Sequence, residues 1–193
     1  MSAWPRVVVV AALGALSEGP ALAQNLVSNG SFEATSVFAG SGWTRSGFST
    51  EGFDFFIDTD AAHAHSGSHS FAGGAVGGMG FIGQNLATTA GTTYDVSLWL
   101  GNLSGFAENT AVQVRWNGQV VYEVSGILGF SYQQIHLSQV AAGSSTALSI
   151  GLRDDSFFLS LDDVSVTAVP EPSAAALLVL GIGALAWRRR ASR

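Results

Sequence analysis

The chain has 193 residues, with eight basic side chains, fourteen acidic ones and a net charge of −6. Between Gln24 and Val169 only Arg45, Arg115 and Arg153 stand against twelve carboxylates. Such a surface repels nucleic acid and anionic lipid, because both are bound through Lys and Arg that neutralise phosphate. There is no lysine to form a Schiff base. With no cysteine, disulfides, zinc–thiolate sites and thiol nucleophiles are excluded as well.

The N-terminus reads as an address. Arg6 precedes an apolar run from Val7 to Leu16, and the small-residue site Ala21-Leu22-Ala23 follows. This is the layout of a secretory signal peptide over residues 1–23, with cleavage expected after Ala23. A membrane helix is the weaker reading, since the run is too short to span.

Residues 24–169 read as strands. The segment opens with "NLVSNGSFE" (25–33), followed by two aromatic loops with Trp43 and with Phe53, Phe55 and Phe56. "HAHSGSH" carries His63, His65 and His69. On a strand His63 and His65 would share a face and could hold a transition metal. In a serine- and glycine-rich loop they read as solvated histidines, and no HExxH pattern supports a zinc hydrolase. "AGGAVGGMGFIG" (72–83) reads as a mobile loop. It is no phosphate cradle, because neither a helix nor a basic residue follows.

Clear period-two alternation begins at "TTYDVSLWLGN", where Tyr94, Val96, Leu98 and Leu100 share one side. In "AVQVRWNGQVVYEV", Val112, Val114 and Trp116 alternate with Gln113 and Arg115, and Trp116 takes the core parity. Asn117-Gly118 then supplies the positive φ angles of a type I′ turn, which predicts a β-hairpin. In "TALSIGLRD", Leu148, Ile150 and Leu152 alternate again. In "SFFLSLDDVSV" the apolar phase slips at Asp162-Asp163: Leu159 and Leu161 have one parity, Val164 and Val166 the other. A bulge or a strand buried on both faces would account for it. Many short strands without helices indicate an all-β sandwich.

The chain ends on "VPEPSAAALLVLGIGALAWRRRASR". From Ser173 to Trp187 the segment is apolar. As a helix it would reach about 22 Å, short of the roughly 30 Å of a bilayer core. Pro170-Glu171-Pro172, the apolar segment and Arg188, Arg189 and Arg190 follow one another in the order of the PEP-CTERM sorting signal, which residues 170–193 closely resemble. The resemblance implies an exosortase-type membrane enzyme as partner, transient membrane contact through 173–187, and delivery to the bacterial cell envelope, outer surface or extracellular matrix. An ordinary single-pass anchor is the alternative.

"NLVSNGSFE", "AHSGSHS" and "FFLSLDDVSV", in that order, resemble the landmarks of galactose-binding-like jelly rolls, in particular carbohydrate-binding modules. The resemblance implies a jelly-roll β-sandwich with a structural Ca²⁺. Glu33 and one of Asp162 and Asp163, preferably Asp162, would be its carboxylate ligands, and carbonyls near His65 to Ser68 would complete the shell. A cation of this kind takes six to eight oxygens. The bland alternatives are a solvated Glu33 and a strand-end cap at Asp162-Asp163.

The sugar-binding residues of such modules do not transfer. From parity, Trp99, Gln113 and Arg115 lie on the polar side of strands and are the candidate ligand-binding set if their strands pair. Packing on a second buried face is the alternative for Trp99. Catalysis is not required: Asp154-Asp155 and Asp162-Asp163 are strand neighbours that point apart, and no GxSxG elbow occurs. The expected function is non-catalytic binding of polysaccharide, plausibly the producer's own exopolymer. A matrix or adhesion protein without sugar specificity is the runner-up, and an extracellular hydrolase trails both.

Overall fold

The computed structural model describes residues 24–170 except 35, 37, 39, 50–53, 104–108 and 156. The cleavage site at Ala21 and Ala23, Phe53, and the tail with Glu171, Pro172 and Arg188 to Arg190 lie outside the described residues; Pro170, within them, is exposed.

In chain order the strands are β1 (Thr44–Ser46), β2 (Phe55–Asp58), β3 (Ser70–Gly73), β4 (Gly80–Ala87) and β5 (Thr93–Asn102). They continue with β6 (Ala111–Trp116), β7 (Gln119–Ser125), β8 (Phe130–Val140), β9 (Ser145–Arg153) and β10 (Leu159–Ala168). Two five-stranded antiparallel sheets result, ordered β1-β4-β9-β6-β7 and β2-β3-β10-β5-β8. Among the described residues there is no helix. The architecture is a jelly-roll β-sandwich, as the strand pattern requires.

The alternating residues meet in one core. Val96, Leu98 and Leu100 of β5 and Leu159 and Leu161 of β10 are buried, as are Val112 and Val114 of β6 and Leu148, Ile150 and Leu152 of β9 in the other sheet. Trp116 joins them, its indole N–H donating to the Val140 carbonyl at 3.0 Å. The β6–β7 hairpin closes on Asn117 and Gly118 at φ +50° and +80°, the left-handed geometry of a type I′ turn.

The phase slip in β10 is a bulge. Its register on β5 shifts between Asp162 and Ser165, and Asp163 adopts φ +46°. The extra residue returns Val164 and Val166 to the core side that Leu159 and Leu161 occupy, and all four are buried. The glycine-rich segment departs from the expected loop. Residues 72–73 end β3 and 80–83 open β4, while Ala75 is buried and bridges Arg153.

Past the bulge, the opening segment takes the side of β10 that β3 leaves. Leu26 N–H donates to the Val166 carbonyl at 2.8 Å, and Val164 N–H to the Gly30 carbonyl at 2.9 Å. A Cβ on Gly30 would stand 2.0 Å from the Val164 carbonyl oxygen. Gly30→Ala is expected to part the two segments and cost about 1–3 kcal/mol, the usual range for overpacking. Urea unfolding checks this, and wild-type stability would show that the opening segment does not rest on β10.

Candidate functional site

The three landmark segments converge at one place. Asn29 and Phe32 have φ of +48° and +54°, a turn that drives Phe32 into the core against Trp43 and Phe71, with ring centroids 5.5 and 5.6 Å away. Trp43, expected in a loop, is 2% exposed and donates its indole N–H to the Asn29 carbonyl at 3.1 Å. The next residue, Glu33, is thereby turned outward. Its Oε1 accepts the N–H groups of Ser68 and His69 at 2.8 and 3.1 Å, and its Oε2 accepts Ser68 Oγ–H and faces His69 Nδ1 at 3.0 Å. These bonds, the Ser68 N–H foremost, hold the Glu33 carboxyl at about 2. Gly67 is required beside it: φ is +64°, and a Cβ would lie 2.2 Å from Oε1.

The bulge of β10 grips the same loop from its other end. Asp162 is fully buried; its Oδ2 accepts the N–H groups of His65 and Ser66 at 2.9 and 3.1 Å, and its Oδ1 that of Asp163 at 2.7 Å. Burial raises its pKa, and the N–H donors act in the opposite direction. Asp163 binds His65 Nδ1 at 2.7 Å and accepts Ser66 Oγ–H at 2.8 Å. Glu33, Asp162 and Asp163 therefore do share a site, a clasp on the loop 65–69. In it each carboxylate oxygen accepts from the protein's own N–H or O–H groups or faces an imidazole nitrogen. Among the described residues no three His, Asp or Glu side chains are grouped as a metal would need. A calcium ion here would share these oxygens with the loop's donors and draw further ligands from carbonyls.

The histidines are not simply solvated. His63 pairs with Asp58 at 2.8 Å, His65 with Asp163 at 2.7 Å and His69 with Glu33 at 3.0 Å. Each answers a different carboxylate, so the three do not form a shared transition-metal site.

Trp99, Gln113 and Arg115 are not brought together. Trp99 lies on β5 and the other two on β6, strands of different sheets whose polar sides face outward in opposite directions. Trp99 stacks on His65 at 3.8 Å between centroids and 16° between planes. Arg115 donates Nε–H to Gln113 Oε1 at 2.6 Å and lies 4.1 Å over the Phe81 ring. Parity along a strand tells which residues face away from the core, but not from which sheet.

A second feature escaped the sequence. At one end of the sandwich an open trough of about 570 Å³ is lined by Phe48, Asp54, Val76, Asp154, Phe157 and Phe158, among others. Three loops build it, those after β1, β3 and β9. Phe157 is 45% exposed, Asp54 is 9% exposed and Asp154 only 1%. Phe56, 43% exposed, meets Phe158 edge-on at 4.9 Å. Arg153 pairs with Asp155 through two bonds of 2.8 Å, which hold that carboxyl at about 2. The doublet Asp154-Asp155 was a visible signal, but nothing in the sequence ties it to Asp54.

Glu33 binds fewer protons folded than unfolded between its ordinary 4.5 and about 2. Its contribution is therefore present above pH 4.5 and lost as pH falls through that window. Thermal midpoints in chelator from pH 6 to pH 2 are expected to fall less steeply for Glu33→Gln than for the wild type. Parallel curves would mean that the clasp does not hold in solution.

The PEP-CTERM protein-sorting motif matches residues 168–190. This marks an exported, envelope-associated protein whose sorting involves an exosortase. Compared with curated protein sequences, the chain matches none. Among solved structures it is similar to TmCBM61, solved in complex with β-1,4-galactotriose, at TM-score 0.59 and 13% identity, over 76% of this chain and 99% of that one. It is also similar to the CBM22-1 xylan-binding domain of Paenibacillus barcinonensis Xyn10C, at 0.51 and 17%, over 77% and 97%. The K2 cleaved adhesin domain of Lys-gingipain gives 0.51 and 14%, over 73% and 96%. At these identities the likeness is one of fold: the body is a jelly-roll sandwich, the fold these structures share, joined to a PEP-CTERM sorting motif.

Proposed function

We propose that the sandwich is a non-catalytic polysaccharide-binding module, delivered to the outer surface or matrix by its tail, and that the trough is its sugar site. The observation that carries this is the exposed Phe157 ring in a trough that the partly exposed Asp155 also lines. An aromatic face takes the apolar face of a pyranose, and the partly exposed Asp155 carboxylate can accept a hydroxyl. The acidic body suits a neutral glycan such as the producer's exopolymer. On a glycan array that includes β-1,4-galactan and xylan, the protein is expected to bind, and Phe157→Ala to bind about tenfold less, the order of one aromatic contact. Trp99→Ala is expected to lower the thermal midpoint and spare binding. Loss with Trp99→Ala and not with Phe157→Ala would move the site to the clasp face, and no binding to any glycan would remove the proposal. A bound glycan incubated with the protein should release no new reducing ends.

An adhesion role without sugar specificity is the second reading. It is favoured by the adhesin-domain likeness and by an apolar groove of about 300 Å³ between β7 and β8, edged by Leu128 at 71% exposure. Self-association in the absence of glycan would support it.

Calcium at the clasp belongs to the same proposal, with Glu33 and Asp162 as carboxylate ligands. The rise in thermal midpoint on adding calcium is expected to be smaller in Glu33→Ala than in the wild type. An equal rise would leave the hydrogen bonds alone to hold the loop.

A further inference from the structure

Each sheet ends on two edge strands, and the four edges are not alike. β1 and β2 have three and four residues, too few to hold another chain. β7 has seven, but its pairing with β6 is irregular between Val114 and Arg115, and it exposes Glu123. Short, bulged and charged edges are the usual guards against pairing with a second chain. β8 is different. It has eleven residues, the longest strand among those described, and "FSYQQIHLSQV" contains no proline and no Asp, Glu, Lys or Arg. From Gln133 to Val140 it runs in unbroken register on β5, and among the described residues no strand pairs with its other edge.

The occupant that suits this edge is a second copy of the chain. Residues 24–169 are strongly acidic, so two copies repel over most of their surface. Along β8 they meet without a carboxylate of their own strand, and Asp95 on the neighbouring β5 is faced by His136 of the same chain at 3.9 Å. Parity then sets the pairing. Gln134, His136, Ser138 and Val140 oppose Trp99, Ser97, Asp95 and Thr93 of β5 and share their outward face. Tyr132 lies over Gly101 on that face, 3.5 Å from where a Cβ would stand. An antiparallel pair keeps this row on one face only if opposed residues have the same parity. With His136 opposite His136, the overlap runs from Tyr132 to Val140. The exposed Val140 of each copy then meets Tyr132 of the other, an aromatic and β-branched pair formed twice.

We propose that the protein forms a two-fold dimer by antiparallel pairing of β8 with β8 of a second copy, centred on His136. Such a pair is isologous and closes at two copies. No residue of β8 lines the trough, so the dimer does not depend on sugar. The chain has no cysteine, and a disulfide in a variant therefore reports on the introduced thiol alone. Under mild oxidation of the whole chain, His136→Cys is expected to cross-link into a dimer, because opposed Cα atoms about 4.5–5.5 Å apart lie within disulfide reach. Gln134→Cys and Ser138→Cys are each expected not to cross-link singly, being four residues out of step, about 13 Å. Mixed together they oppose each other and are expected to join. Association through the apolar tail would not choose among these positions. A second readout is light scattering without oxidant. Ser138→Lys places an ammonium opposite Asp95, which spares the fold while guarding the edge. It is expected to lower the apparent mass from two copies toward one. Equal cross-linking at all three positions, none with His136→Cys, or a mass unmoved by Ser138→Lys would overturn the proposal. No glycan enters either measurement, so failure here would leave the polysaccharide reading standing, and the reverse holds.

Discussion

The bulge at Asp162-Asp163 is the constraint on which much of the molecule depends. A strand in the middle of a sheet must keep one parity toward the core, yet β10 changes parity halfway along its sequence. One residue in left-handed conformation absorbs the change, so Leu159, Leu161, Val164 and Val166 all reach the same core. The same irregularity frees the backbone of β10 where the opening segment pairs. It also places a buried Asp162 beneath the loop 65–69, where amide groups answer its charge. Core phase, chain opening and loop anchoring are joined through one local departure from regular pairing.

The fold was legible for a simple reason. Residues alternating on one strand need only local information, and Tyr94 to Leu100, Val112 to Trp116 and Leu148 to Leu152 each declare their inward face. The Asn117-Gly118 turn and the slip in β10 are equally local, since each follows from what two adjacent residues can do. The convergence of Glu33 with Asp162 and Asp163 is not local, and it came from the resemblance of three short segments to a known kind of domain. Where neither local pattern nor resemblance applied, the reading failed. Trp99 and Arg115 share an outward parity but belong to opposite sheets. Trp43 sits in a stretch with little regular structure and is nonetheless core, because the turn at Asn29 to Phe32 carries it inward. Asp54 and Asp154, one hundred positions apart, line one trough only because β2 begins at the pole of the sandwich where β9 ends.

The acidity of the body, which looked uniform in composition, is distributed with purpose in space. At the clasp, carboxylates are matched by amides, hydroxyls and imidazoles, and their charge is spent on fixing a loop that a cysteine-free domain cannot tie by disulfide. At the trough the balance differs. Asp155 pairs with the nearby Arg153, and Asp54 keeps an oxygen that no donor among the described residues reaches. A folded chain tolerates such a group where something outside the chain completes it. The carboxylates of the clasp are thus met by the chain's own donors, and among the described residues one oxygen at the trough is not.

Export sharpens that contrast. This chain has neither thiols nor lysines with which to anchor itself. Oxygen-rich loops at the pole of a rigid sandwich are a means of binding that remains. The sheets fix the loop ends, so the trough can vary in ligand chemistry without disturbing the core. Folding is secured by β10 and its clasp, which leaves the loops at the trough end free of that task.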